Sequence, residues 1–179
     1  MILDILQHPD PRLAQVCEDA KFDDGTELVQ RDDFDPPQAV GPMKALLTDM
    51  VHTMMNMGPA LGLAAPQVGH NVRAICVFEK RSGTVHAMLN PRIISRGTMR
   101  TNDPEGCLSV NRGQTAVRVH RRHTVVVEGH RPNGAKFRVG AKGQLAVALQ
   151  HEIDHLNGIT IADRTPPRTK RPLHAGASS

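Results

Sequence analysis

Met43, Leu46, Leu47, Met50, Val51 and Met54 recur at i, i+3, i+4, i+7, i+8 and i+11. That is the spacing of one apolar stripe along a helix, and it predicts an amphipathic helix laid over a sheet. A second stretch is apolar nearly all round. Leu145, Ala146, Val147, Ala148 and Leu149 run straight into His151-Glu152-Ile153-Asp154-His155, and Ile153 and Leu156 carry the pattern on. A helix of that kind is buried. Strands are predicted at Val72–Phe78, His86–Leu89, Val117–Val119, Thr124–Glu128 and Lys136–Val139, with Asn133-Gly134 supplying turn chemistry between the last two. Strands interleaved with two principal helices predict an α+β fold of mainly antiparallel sheets packed around the second helix.

Composition narrows this. At 179 residues the chain is long enough for one domain with a real core. Aromatic residues make up 2% and Trp and Tyr are absent, so the core must be assembled from Leu, Val, Ile, Ala and Met. Residues 22–42 are acidic and contain Pro and Gly, which reads as an inserted surface loop on a domain spanning 1–164. Residues 165–179 lack periodicity and read as a disordered tail. Three cysteines, an odd number, argue against a disulfide framework and for a reducing compartment. The opening MILDILQHPDP has no basic n-region, and no run reaches membrane-spanning length, so the expected location is cytoplasmic with no membrane contact. The net charge of +4 gathers in residues 118–123 and beyond Arg164. Without aromatic platforms for stacking, this reads as a solvated basic face, and no specific nucleic-acid binding is expected.

The chemistry lies in H-E-x-x-H at 151–155. On a helix, histidines four apart lie nearly one above the other, and Glu152 sits within a quarter turn of both. Two imidazoles can hold a divalent metal while the carboxylate handles the proton of an attacking water, the minimal equipment for metal-assisted hydrolysis. A third ligand must come from elsewhere. Gly158 falls where some metalloproteases continue toward a third histidine, but Ile161 stands in that histidine's place. Asp163 and His174 are the downstream candidates. Upstream, Cys107 lies on a Gly-containing bend in Glu105-Gly106-Cys107-Leu108-Ser109, expected to be accessible and, near a cation, deprotonated. Cys17 and Cys76 read instead as small buried hydrophobes.

Three segments together are more specific. Residues 60–69, ALGLAAPQVG, then EGCLS at 105–109, then QHEIDHLNG at 150–158 resemble the three motifs of peptide deformylase in their family order, and ILQHPDPRL at 5–13 is similar to that family's N-terminus. The resemblance reaches from the start of the chain to about residue 163. It implies a peptide deformylase-like fold, a divalent metal held by Cys107, His151 and His155, and Glu152 as general acid and base. It also implies that the Gln67 amide and the Leu108 N–H polarise the formyl oxygen. Ferrous iron is the metal expected physiologically, with zinc or nickel in a purified sample. The implied reaction removes the formyl group from formyl-methionyl nascent chains, near the ribosome. Further carried-over roles are Glu105 as support for the ligands, Leu61, Gly62 and Gly106 as strand-like partners of the substrate backbone, Arg112 as its grip, and Val147 and Ala148 as the lining of a methionine pocket.

Two departures matter. Ala60 stands where the first motif usually has glycine, which is costly only if that position needs positive φ. After Ser109 the chain reads VNRGQTAVR. Arg112-Gly113 arrives earlier than the family's Arg-Gly pair, which leaves Arg118 and Arg121 eligible for the same grip. The alternatives are a relative specialised for another N-formyl substrate and a non-catalytic ribosome- or RNA-binding homologue.

Overall fold

The computed structural model describes residues 1–23, 41–58 and 60–164. Most of the loop expected at 22–42 and the whole tail expected from 165 lie outside the described residues.

Helix α1 spans Pro42–Asn56. Proline suits the first turn, where its missing N–H has no partner to lose. The cap comes from a distance: the Asp23 carboxylate accepts from the Met43 N–H at 2.9 Å and the Lys44 N–H at 3.0 Å. Strands follow in chain order: β1 Gly62–Ala64, β2 Ala74–Glu79, β3 Thr84–Arg96, β4 Arg100–Thr101, β5 Pro104–Gly106, β6 Ala116–Arg118, β7 Arg121–Arg122, β8 Thr124–His130 and β9 Lys136–Lys142. Helix α2, Gln144–Leu156, closes the described fold. Strands β1-β2-β3-β8-β9 form a five-stranded antiparallel sheet in that order, and β4-β7 and β5-β6 form two small ribbons.

The main sheet is covered on both faces. Successive side chains on a strand point to opposite sides, so on β2 Ile75 and Val77 join Leu149, Ile153 and Leu156 of α2, while Ala74 and Cys76 join Leu47, Met50 and Met54 of α1. This is why Ala74 to Val77 is an unbroken apolar run rather than an alternating one. Met50 and Met54 are fully buried, each side chain stabilising the fold by about 1.5–3 kcal/mol. The α+β, antiparallel expectation holds.

One strand differs from its expected bounds for a local reason. The reading ended at Leu89, before Asn90-Pro91, yet β3 runs to Arg96. Asn90 adopts φ 49°, which asparagine tolerates, and its side-chain amide pairs with both backbone groups of Ala20. The pairing with β8 shifts register between Leu89 and Arg92, so a bulge absorbs the break and the ladder resumes. No helix among the described residues is long and apolar enough to cross a membrane.

Candidate active site and metal centre

Nine residues of α2 are buried, among them His151, Glu152 and His155. The Cys107 Sγ lies 3.2 Å from His155 Nε2, and one ligand atom from each of Cys107, His151 and His155 falls within 4.8 Å of the others. Tetrahedral coordination with metal–sulfur near 2.3 Å and metal–nitrogen near 2.0–2.1 Å separates sulfur and nitrogen by about 3.5 Å, so these residues fit a single divalent ion. Glu105 accepts from His151 Nδ1 at 2.8 Å, which leaves Nε2 for a metal. The other candidate ligands fall away: Asp163 is occupied by the N–H and hydroxyl of Thr160, and His174 lies outside the described residues. One expectation is corrected. Cys107 is not accessible on its bend but 3% exposed, covered by Val119 and Ile161.

The electrostatics point the same way. Burial by itself would lower the pKa of His151, but its hydrogen bonds to Cys107 and Glu105 overcome this and hold it up to about 10. His155 is driven well below the ordinary imidazole value by burial, then by His151 and Arg121. Burial pushes the Glu152 carboxyl up to about 7, against the pull of His151 and Arg121. Glu152 Oε2 is buried and has no hydrogen-bond partner among the described residues.

Behind the ligands stands a group that the sequence reading misplaced. Arg121, 5% exposed, meets Glu105 through two hydrogen bonds of 2.8 and 2.9 Å and also donates to Asp154, whose other oxygen takes Arg164 at 2.7 Å. With its guanidinium committed to that network, Arg121 cannot hold a peptide. Arg118 is turned to the Asn102 carbonyl at 2.9 Å. Arg112 alone of the three lines the pocket.

That pocket encloses about 510 Å³. Along its walls lie Leu61, Gly62, Gln67, Glu105, Gly106, Cys107, Leu108, Arg112, Val147, Ala148, His151 and Glu152. Every residue to which the family resemblance gives a role is thus brought to it except His155, which lies against Cys107. Ala60 lines it too. Gln67 is oriented by the Ala64 N–H, which donates to its Oε1 at 2.8 Å. Its Nε2 is thereby aimed at Ser109 Oγ, 3.2 Å away, and at Cys107 Sγ, 3.7 Å away. The Leu108 N–H finds no acceptor among the described residues. Strand β1 is an edge of the main sheet, and Gly106, which also lines the pocket, ends β5. Met57, Asp103 and Gln144 also line the pocket; the reading missed them because nothing in their local pattern marks a wall.

The model of the polypeptide deformylase family matches residues 2–171. A peptide deformylase of Syntrophobacter fumaroxidans is 37% identical over 172 residues, covering 94% of this chain and 89% of that one. Among solved structures, a class I type b peptide deformylase of Acinetobacter baumannii superposes with a TM-score of 0.76 at 27% identity, over 92% of this chain and 99% of the other. The peptide deformylase of Ehrlichia chaffeensis does so with a TM-score of 0.77 at 28% identity, over 93% and 89%.

Proposed function

The chain belongs to the peptide deformylase family, and on that premise we propose that it removes N-terminal formyl groups from peptides at the Cys107–His151–His155 centre. The observation that carries the reading is the convergence of those three ligand atoms beside a buried, unpartnered Glu152 carboxylate oxygen. A divalent metal held there supplies a Lewis acid and brings the pKa of water down from about 15.7 toward about 7.

The protein's own groups do the rest. Glu152, with its carboxyl raised to about 7, can take a proton from the attacking water and return it to the departing nitrogen, so the products are formate and a free amine. Charge develops on the formyl oxygen as the carbon becomes tetrahedral. The Gln67 amide, fixed by Ala64, and the unshared Leu108 N–H are the donors proposed to meet it. An extended peptide can add to the edge of β1 at Gly62 and to Leu61 just before it, and to Gly106 of β5, with its first side chain against Val147 and Ala148 and its backbone gripped by Arg112. Ferrous iron is the proposed resident ion, and formylated chains leaving the ribosome in the cytoplasm the proposed substrate.

The test is hydrolysis of formyl-Met-Ala-Ser by the metal-loaded protein and its Glu152→Gln variant. The variant is expected to keep its metal and lose about 10²–10⁴ in kcat. Loss of the metal would make Glu152 a ligand instead, and near-normal turnover would remove it from proton transfer.

A further inference from the structure

We propose that Gln7 is a positioning residue for substrate binding, its side-chain amide holding the loop Asn111–Gly113 in the conformation that turns Arg112 into the pocket. The inference rests on the reading of Arg112 as the peptide grip.

Three consecutive residues near the N-terminus are stitched into the site. The Leu6 N–H donates to the Gln67 carbonyl at 2.8 Å, and the His8 N–H to the Ser109 carbonyl at 2.7 Å. Between them the Gln7 side chain, whose Nε2 also makes a longer 3.4 Å bond to the neighbouring Ile5 carbonyl, reaches two distant partners. Its Nε2 donates to the Leu108 carbonyl at 2.9 Å, and its Oε1 accepts from the Arg112 N–H at 3.1 Å.

The loop needs such an anchor. Asn111, Arg112 and Gly113 all have positive φ, at 48°, 51° and 77°. Glycine adopts that conformation freely and asparagine with help, but arginine pays a steric penalty for it, and such residues persist only where their surroundings over-determine them. Inside the loop the Asn111 side chain bonds Thr115 Oγ1 at 2.9 Å, the Gly113 N–H reaches the Val110 carbonyl, and the Gln114 N–H reaches the Asn111 carbonyl. None of these touches the Arg112 N–H. Gln7 supplies that bond from more than a hundred positions away. The Arg112 guanidinium itself has no hydrogen bond or ion pair among the described residues, so the wall of the pocket is lined by a free cation whose backbone is held by Gln7.

Removing the bond lets the loop leave its left-handed state. If the binding-competent fraction falls to about 10–30%, the apparent affinity for any ligand that needs Arg112 falls about 3–10-fold. Gln7→Met keeps side-chain length while deleting both hydrogen bonds. It is expected to raise KM for formyl-Met-Ala-Ser about 3–10-fold, with kcat changed less than twofold and KM for formyl-methionine amide, too short to reach Arg112, unmoved. In an Arg112→Ala background the same change is expected to add nothing, since coupled residues fail to add. An equal KM rise for both substrates or an undiminished effect in the Arg112→Ala background overturns the proposal. Arg112→Ala that raises the tripeptide KM while Gln7→Met does not overturns the role of Gln7 alone. Arg112→Ala with normal KM removes the grip, and the proposal with it.

Discussion

Gly62→Ala isolates the demand that Glu152 makes on its surroundings. Gly62 lies on β1, paired to Val77 of β2, and a Cβ added there would fall 2.7 Å from Glu152 Cδ and 2.8 Å from its Cγ, with Oε1 nearer still. Carbon atoms in contact stand roughly 3.5–4.0 Å apart, so one partner must give way by about 1 Å. The strand is tied into the sheet and the carboxylate is the softer side, but Glu152 is only 4% exposed, and its open direction is the pocket where substrate would sit. A displacement of about 1 Å at reacting groups costs about 10²-fold in rate, or about 2.7 kcal/mol. The position is not left-handed, so backbone strain adds nothing, and the three atoms nearest an added Cβ all belong to Glu152. Gly62→Ala is therefore expected to lower kcat on formyl-Met-Ala-Ser about a hundredfold while metal content by emission spectrometry stays at the wild-type value. A variant with full kcat and raised KM would show that the glycine serves the substrate's backbone and not Glu152. A fall in kcat that tracks metal loss would place the damage at the ligands, and either result refutes the reasoning.

Cys107→Ala is expected to abolish tight metal binding, whereas Cys17→Ala and Cys76→Ala leave stoichiometry intact; equal loss from folded Cys76→Ala would put the third ligand elsewhere. Arg121→Met takes the shared cation away from the buried Glu105 and the half-buried Asp154, leaving them His151 and Arg164 alone. Breaking such a network costs about 3–5 kcal/mol, a fall of roughly 6–20 °C in Tm for a chain of this size, and calorimetry showing less than 1 °C would mean that the network does not support the fold.

The parts of this molecule that could be read from the chain are those whose signal is local. A helix brings residues four apart together, so His151, Glu152 and His155 announce themselves within five positions, and the α1 stripe does the same for one face of the core. The short strands β1, β4, β5 and β7 span two or three residues, too few for any period to show, and β1 and β5 carry residues that line the pocket. Asn90-Pro91 reads as a strand breaker because the bond that tames Asn90 comes from Ala20, seventy residues away. Gln7 is invisible for the same reason, since its partners lie at 108 and 112.

Arg121 is the instructive miss. Within residues 118–123 it looks like one more member of a solvated basic run, and its burial follows only from what faces it. Yet half of that fact was legible. Asp154 sits inside an apolar helix, next to a ligand, where an unpaired carboxylate would be costly. Glu105 sits beside a cysteine that also has to be held. One buried acid and one half-buried acid call for a cation other than the metal, one long and forked enough to reach both, which selects arginine over lysine. Counting buried charge, and not only motif residues, would have moved Arg121 from the list of peptide grips to the support of the metal site, and would have left Arg112 as the stronger candidate before any coordinates were known.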